Sequence, residues 1–170
     1  MLYDYSIPKP VKMNAYEVHC LIEALFKSDN TRNLFRDLGD AVLIRSSLKE
    51  VGGQGGSLVK NLEVGEIAFV ELRASCFVTG GKKKYFLKQG DWKSRHVWLE
   101  KKGINNGFET LTITCQSKLL KIPKPHAEFT LDRTDFTACV KVTDTEKFTT
   151  ALQNGIGSKG RAFGFGMLVL

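Results

Sequence analysis

The order of regular elements predicted after residue 65 constrains the fold of this chain most strongly. The pattern predicts a strand over 66–79, a helix over 91–102, strands over 111–114 and 138–142, a helix opened by a capping box at 143–146, and a final strand over 162–170. This strand and helix order is the βαββαβ arrangement of a ferredoxin-like domain. The second part of the chain is therefore predicted to be an α+β domain of this type.

The first part of the chain offers a shortened version of the same order. Residues 2–7 predict a strand, and Asn14 with Glu17 forms a capping-box pattern at the start of an amphipathic helix. Two strands follow over 33–37 and 41–46, and Gly52–Gly56 stands as a flexible break where a second helix is expected. We predict tandem ferredoxin-like domains, 1–64 and 65–170, with the first one trimmed.

Composition excludes several classes of protein. With 42% hydrophobic residues, the 170-residue chain can form a core without disulfides or metals, and no stretch approaches the roughly 20 apolar residues of a membrane span. The first residues lack the pattern of a signal peptide, so we expect a cytoplasmic protein without membrane partners. The four cysteines are scattered without close pairs, so we expect no metal site and no cofactor.

Positive charge is concentrated in one segment. The net charge is +7, and residues 80–102 hold eight basic residues against two acidic ones. Such a concentration favours a polyanion, because each neutralised phosphate releases condensed counterions. A solvated connector is the alternative interpretation.

The glycine-rich ending matches three known patterns. Residues 155–160 read Gly-x-Gly-x-x-Gly, but a helix precedes and a strand follows, the reverse of a dinucleotide-binding fingerprint. Residues 161–166 resemble the aromatic motif of RNA-recognition domains, although that motif is followed by a further helix and strand. A third pattern fits both the residue types and their position in the chain. It consists of a helix ending in Gly-Ile-Gly, a basic segment, and Ala-Phe-Gly before an aliphatic strand. It is typical of a loop that binds phosphates through backbone N–H groups, and a purely structural loop is the alternative.

This ending resembles the glycine-rich loop of the repeat-associated RNA-processing superfamily. The whole chain is similar to the E-type (CasE-like) CRISPR-associated endoribonucleases, with matches at Tyr16-x-x-His19, 33–36, 64–74 and best at 143–170. The resemblance implies tandem ferredoxin-like domains and metal-independent cleavage of precursor crRNA at the repeat hairpin, leaving a 2′,3′-cyclic phosphate. It also implies that the product stays bound in a surveillance complex (Cascade) of antiviral defence, with other subunits as partners. The short segment at Gly52–Gly56 departs from this family.

Two alternatives remain beside the endoribonuclease. One is a catalytically inactive subunit that binds the crRNA hairpin in a CRISPR effector complex, which the trimmed first domain favours. The other is a small-molecule-binding ferredoxin-like domain, which the lysine run disfavours.

Tyr16 and His19 are the candidate catalytic residues. They are three residues apart on the first helix and therefore share a face. Metal-free RNA cleavage needs a base for the 2′-hydroxyl and an acid for the leaving oxygen, and histidine suits either role near neutral pH. The resemblance places the family's catalytic pair at these two positions.

Packing or RNA contact is expected for His96 and His126. Spacing leaves the stabilising cation open among Lys27, Arg32, Arg36, Lys159 and Arg161.

The candidate RNA-binding residues come from the basic segment and the glycine-rich ending. They are Lys82, Lys83, Lys84, Lys88, Arg95, Gly155, Gly157, Lys159, Gly160, Arg161, Gly164 and Gly166.

Overall fold

The first half of the chain forms a four-stranded antiparallel sheet with one helix. The computed structural model describes residues 1–10, 12–26, 33–51, 53–80, 83–124 and 127–170. The first-half elements are β1 (Tyr3–Pro8), α1 (Ala15–Leu25), β2 (Leu34–Asp37), β3 (Ala41–Ser46), β4 (Glu50–Val51), β5 (Gln54–Gly55) and β6 (Ser57–Leu58). The sheet order is β2-β3-β1-β6, with β4 and β5 pairing separately. No helix lies between β3 and β6 in the part of the chain that is described, as expected for a trimmed ferredoxin-like unit.

Helix α1 begins at the predicted capping box. The Asn14 side chain accepts hydrogen bonds from the backbone N–H groups of Tyr16 and Glu17, and the Glu17 carboxylate accepts one from the Asn14 N–H. Val18 and Ile22 are buried against the sheet. This packing fixes the rotation of the helix and leaves Tyr16 and His19 on its flank.

The second half is a complete βαββαβ unit with additions. Its elements are β7 (Ile67–Ala74), β8 (Phe77–Gly80), β9 (Lys83–Phe86), α2 (Trp92–Asn105), β10 (Phe108–Lys124), β11 (Ala127–Val142), α3 (Thr145–Asn154), a 3₁₀ turn (Arg161–Phe163) and β12 (Leu168–Val169). The sheet order β10-β11-β7-β12 is that of a ferredoxin-like sheet, and all pairs are antiparallel. Residues of α2 and α3 form the main core with one face of this sheet.

Several predicted boundaries were wrong for physical reasons. The strand predicted over 66–79 ends at Ala74, and β8 pairs with β9, so part of the expected lysine loop is a β-hairpin. Helix α2 continues past Gly103. This residue must be small, because a Cβ there would lie 2.7 Å from the Phe108 carbonyl oxygen. Helix α3 is capped by Asp144, which accepts from the Lys147 N–H, rather than by Thr143. The final strand covers only Leu168–Val169.

The two short strands predicted at 111–114 and 138–142 belong to one long hairpin. Strands β10 and β11 pair from Phe108 with Val142 to Lys124 with Ala127, whereas β7 pairs with β11 only as far as Thr134. The remainder, residues 118–124 and 127–133, is a two-stranded segment that we call the arm. The arm packs Ile122 and Leu131 against Phe165, with Tyr16 of α1 beside them. It therefore connects the second domain to the helix of the first.

Candidate functional site

A cleft of about 470 Å³ lies between α1 and the glycine-rich ending. Its polar lining comes from both halves of the chain: His19, Glu23, Asn33, Ser158, Gly160 and Arg161. Its apolar lining includes Phe26, Phe35 and Phe163. The fold thus brings the predicted imidazole and the predicted phosphate-binding loop, about 140 residues apart in sequence, to one cavity.

His19 reaches this cleft and is accessible to solvent. Its side chain is 28% exposed, and its Nδ1 atom lies 4.0 Å from a carboxylate oxygen of Glu23 one turn later. The Phe163 ring packs edge-on at 5.9 Å between centroids, and the Tyr16 ring lies at 6.5 Å. An imidazole held on two sides and open on a third can exchange a proton with a ligand.

Tyr16 stands between the imidazole and the arm. The Cys20 side chain raises the pKa of the Tyr16 phenol above its usual value, first through a hydrogen bond and then through its electrostatic effect. The phenol therefore stays protonated at neutral pH and can donate a hydrogen bond.

The glycine-rich ending is a compact loop whose shape depends on positive φ angles. Gly155, Gly157, Gly160, Gly164 and Gly166 all have φ between 72° and 92°. The N–H groups of three of them are used inside the protein: Gly155 donates to Ala151, Gly164 to Arg161, and Gly166 to Arg73. These three N–H groups are therefore engaged within the protein, where they shape the loop, and RNA binding at these glycines stays a prediction.

A second set of N–H groups lies at the tip of the loop. The backbone N–H groups of residues 157–160 donate no hydrogen bond to any residue that the structure describes. Ser158 and Gly160 line the cleft directly. Successive N–H groups in a turn with positive φ angles form a concavity suited to an anion.

Arg161 braces this loop from within. Its Nε and Nη2 atoms donate to the carbonyl oxygens of Gly157 and Gly155, at 2.7 and 3.2 Å. Because Arg161 also lines the cleft, it places a positive charge beside this concavity. Among the candidate cations that the structure describes, it is the one that lines the cleft together with His19. Lys27 and Arg32 lie outside the described residues, and Arg36 is buried in an ion pair with Glu71.

The basic β8–β9 hairpin adjoins the same loop. The Lys159 ammonium lies 5.8 Å from the ring centroid of Phe77 and 5.7 Å from that of Phe86, and Lys84 lies 4.8 Å from Phe77. These contacts join the loop to the hairpin in one positively charged surface. Lys83 and Lys88 are exposed in the same segment, and Lys82 lies outside the described residues.

Arg95, which was predicted to bind RNA, is buried in the core. It is 1% exposed, and its guanidinium donates to the buried carboxylate of Asp132 at 2.7 and 2.9 Å and to the carbonyls of Leu87 and Lys88. Asp132 also accepts from the Cys76 N–H. Arg95 and Asp132 together therefore attach both ends of the β8–β9 hairpin to the core.

The other histidines lie away from the cleft or outside the described part of the chain. His96 packs edge-on against Trp92 at 5.4 Å. His126 lies outside the described residues. The sequence did not indicate a role for Phe163, because its contact with His19 forms only when the glycine-rich ending folds back toward α1. The position of Phe163 between two glycines of that ending is the one feature of the sequence that could have pointed to it.

Membrane-spanning helices and clusters of metal ligands are both absent from the described ranges. Within those ranges, no helix is long and apolar enough to cross a membrane. Nor do three or more histidine, cysteine, aspartate or glutamate side chains meet, among the same residues, in an arrangement that could hold a metal ion.

Solved structures similar to this chain cover nearly all of it. Cse3 of Thermus thermophilus, bound to an RNA representing a pre-cleavage complex, matches with a TM-score of 0.81 and 20% identity over 98% of this chain and 97% of that chain. Cas6e of Escherichia coli K-12 matches with 0.75 and 18% over 98% and 96%. A chain of a CRISPR RNA-guided surveillance complex matches with 0.73 and 18% over 98% and 97%. These similarities confirm the predicted tandem ferredoxin-like α+β fold.

A sequence-family model gives the relationship itself. No curated protein sequence matches the chain. The model described as "CRISPR associated protein" matches residues 73–170, which is more than half of the chain and includes the basic hairpin, the arm and the glycine-rich ending. The resemblance found in the terminal residues is confirmed, and the chain belongs to the family of CRISPR-associated proteins.

Proposed function

We propose that this protein binds the hairpin of a CRISPR repeat and cleaves precursor crRNA without a metal ion. The observation that carries the proposal is the shared cleft, in which the His19 imidazole faces a loop suited to a phosphate. The solved structures of similar fold include endoribonucleases bound to RNA and a subunit of a surveillance complex, which supports both cleavage and retention of the product.

The proposed reaction is an attack within the RNA chain. The 2′-hydroxyl oxygen beside the scissile phosphate forms a bond to phosphorus, and the bond from phosphorus to the 5′-oxygen breaks. The products are a 2′,3′-cyclic phosphate and a 5′-hydroxyl end. One proton leaves the 2′-hydroxyl and one is gained by the 5′-oxygen, so the reaction needs a base and an acid but no oxidant or added nucleophile.

The polar groups at the cleft and the neighbouring Tyr16 have roles in that reaction. His19 transfers a proton, and Tyr16, whose phenol stays protonated, hydrogen-bonds the reacting sugar or phosphate oxygen. The N–H groups of 157–160 and the Arg161 guanidinium stabilise the negative charge that grows on the phosphate oxygens in the transition state. The concavity also fixes the phosphate relative to the imidazole, which lowers the entropic part of the barrier.

The primary test is cleavage of a cognate repeat RNA in EDTA. The wild-type protein should produce two fragments, and His19→Ala should slow single-turnover cleavage by about 10²- to 10⁴-fold with affinity retained. His96→Ala is the matched control and should cleave normally. An RNA with a 2′-deoxy sugar at the cut position should bind and remain intact, since the attacking oxygen is missing.

Other results would point elsewhere. Tight binding of the repeat by wild-type protein without any product would contradict the nuclease and support an inactive hairpin-binding subunit, which the missing second helix of the first domain favours. Absence of RNA binding would contradict both. Cleavage that EDTA abolishes would contradict the proposed mechanism.

The basic hairpin supplies the electrostatic part of RNA binding in this proposal. Neutralising Lys82, Lys83 and Lys84 together should weaken binding and reduce the slope of log affinity against log salt by about one for each phosphate that is no longer neutralised. The control is Lys60→Gln with Lys147→Gln, two exposed lysines that already pair with carboxylates. An unchanged slope in the triple variant would remove the hairpin from the RNA-binding surface.

A further inference from the structure

The open face of the second sheet carries an aromatic side chain that the core does not use. Phe69 lies in the middle of β7 and is 76% exposed, whereas its neighbours Val70 and Leu72 are buried on the opposite face against α2 and α3. The register places Phe69 beside Cys139 of β11 and, across it, Thr112 of β10. A phenylalanine that is this exposed on a sheet surface contributes little to stability, because its burial is small.

A groove on this face adjoins Phe69. It has a volume of about 340 Å³, and its hydroxyl, amide and carboxylate lining consists of Thr114, Gln116, Asp135 and Thr137. Thr137 pairs with Glu71, the next residue of β7 on the same face as Phe69. Directly paired and diagonal positions on one face of a sheet lie roughly 5–8 Å apart. The ring is therefore next to a row of hydroxyl and amide groups that can donate and accept hydrogen bonds.

Positive charge exceeds negative charge at the end of the groove. The single carboxylate of Asp135 accepts from both Arg73 and Arg133, each at 2.7 Å. Burial acts to raise the pKa of Asp135, but these two guanidinium groups lower it overall. Glu71, the other carboxylate on this face, pairs with Arg36 at 2.8 Å. Three guanidinium groups therefore share two carboxylates in this region, and the excess positive charge complements a phosphate.

We propose that this open sheet face binds an unpaired nucleotide of the RNA. The base stacks on Phe69, its polar edge meets Thr114 and Thr137, and its phosphate lies toward Arg73 and Arg133. Stacking on an aromatic ring presented by a sheet is how single-stranded RNA is commonly held, and it tolerates different bases. The inference rests on the proposed RNA-binding function but concerns a surface separate from the His19 cleft.

The test compares RNAs that differ only in unpaired nucleotides. A repeat hairpin without extensions is compared with hairpins that carry 5′ or 3′ single-stranded extensions, in which 2-aminopurine replaces each unpaired base in turn. Phe69→Ala should weaken binding of one extended RNA by about tenfold, leave the bare hairpin unaffected, and abolish the quenching of one 2-aminopurine position. Phe69→Tyr should retain both affinity and quenching. Ile104→Ala, at a residue 71% exposed on α2, is the matched control and should change neither.

The outcomes separate this proposal from the function on which it rests. If wild-type protein binds no RNA, the proposed function fails first. If wild-type and Phe69→Ala proteins bind all extended RNAs equally, the nucleotide site is refuted while hairpin binding stands. The same refutation follows if Phe69→Ala leaves RNA binding intact but prevents assembly with the other subunits of an effector complex, since the face would then be a protein interface.

Discussion

Replacing Arg95 with leucine should destabilise the protein far more than removing a surface arginine. Arg95 is 1% exposed and its partner Asp132 is 0% exposed, so the change leaves a carboxylate in the core with only neutral donors: the Cys76 N–H, the Gln89 amide and the Thr134 hydroxyl. Removing one partner of a buried ion pair costs about 3–5 kcal/mol. That is a large share of the roughly 5–15 kcal/mol that stabilises a domain.

The expected loss can be measured by urea unfolding and by thermal denaturation. For a chain of this size, about 3–5 kcal/mol corresponds to a decrease in Tm of roughly 6–20 °C. Arg133→Leu is the control, because its pair with Asp135 is partly exposed and such pairs contribute at most about 1 kcal/mol. Replacing both Arg95 and Asp132 by leucine should be less harmful than Arg95→Leu alone, because no unpaired charge remains.

The region that loses stability in Arg95→Leu is a more specific test than the size of the loss. Arg95 donates to the carbonyls of Leu87 and Lys88, and Asp132 accepts from the Cys76 N–H, so the pair joins both ends of the β8–β9 hairpin to the core. Hydrogen exchange in Arg95→Leu should increase first in the hairpin and its two ends, before β7. A loss below about 1 kcal/mol, or exchange that rises evenly across the sheet, would refute the assignment of Arg95 as a buried anchor.

Three further predictions concern the loop, an acidic group and the thiols. Gly160→Ala should destabilise the loop more than Gly157→Ala in urea unfolding: both have positive φ, but only at Gly160 would the new Cβ lie 2.7 Å from another side chain. The two arginine partners of Asp135 lower the pKa of its carboxyl group in the folded protein. The carboxylate should therefore stabilise the fold above the unfolded carboxyl pKa of about 3.9, and this stabilisation should be lost as the pH falls through the lower pKa of the folded protein. The difference in unfolding free energy between wild type and Asp135→Asn should therefore vanish in strong acid, and a constant difference would contradict this. Burial raises the pKa of Cys76 to about 12, so a thiol reagent at about pH 8 should modify exposed Cys20 quickly and Cys76 only after unfolding.

Local signals predicted the first helix and the strand order correctly. The capping box at Asn14 and Glu17 involves residues three apart, so the sequence alone contains the whole interaction. Arg95 shows why other features were not predicted. It occupies the apolar face of α2 with Leu99, but the acidic group that neutralises it, Asp132, is 37 residues away in β11. A basic residue in a basic segment looks the same in sequence whether it binds RNA or a buried carboxylate. The length of the β10–β11 hairpin was missed for a similar reason, since its arm is stabilised by contacts with α1 and the glycine-rich ending rather than by its own pattern.

The cleft depends on the two ferredoxin-like domains being held together. Arg45 of β3 is buried and bonds Asp4 within the first sheet, and its Nη1 atom also donates to the carbonyl oxygen of Leu168 in β12 at 2.6 Å. Arg73 of β7 donates in the other direction, to the carbonyl oxygen of Asp37 at 2.9 Å. The Gly166 N–H in turn donates to the carbonyl oxygen of Arg73, so the end of the glycine-rich loop is attached to the strand that contacts the first domain. Because His19 and the loop belong to different domains, these bonds and the arm set the distance between the imidazole and the glycine-rich ending. We expect that separating the domains would abolish the proposed cleavage without unfolding either sheet.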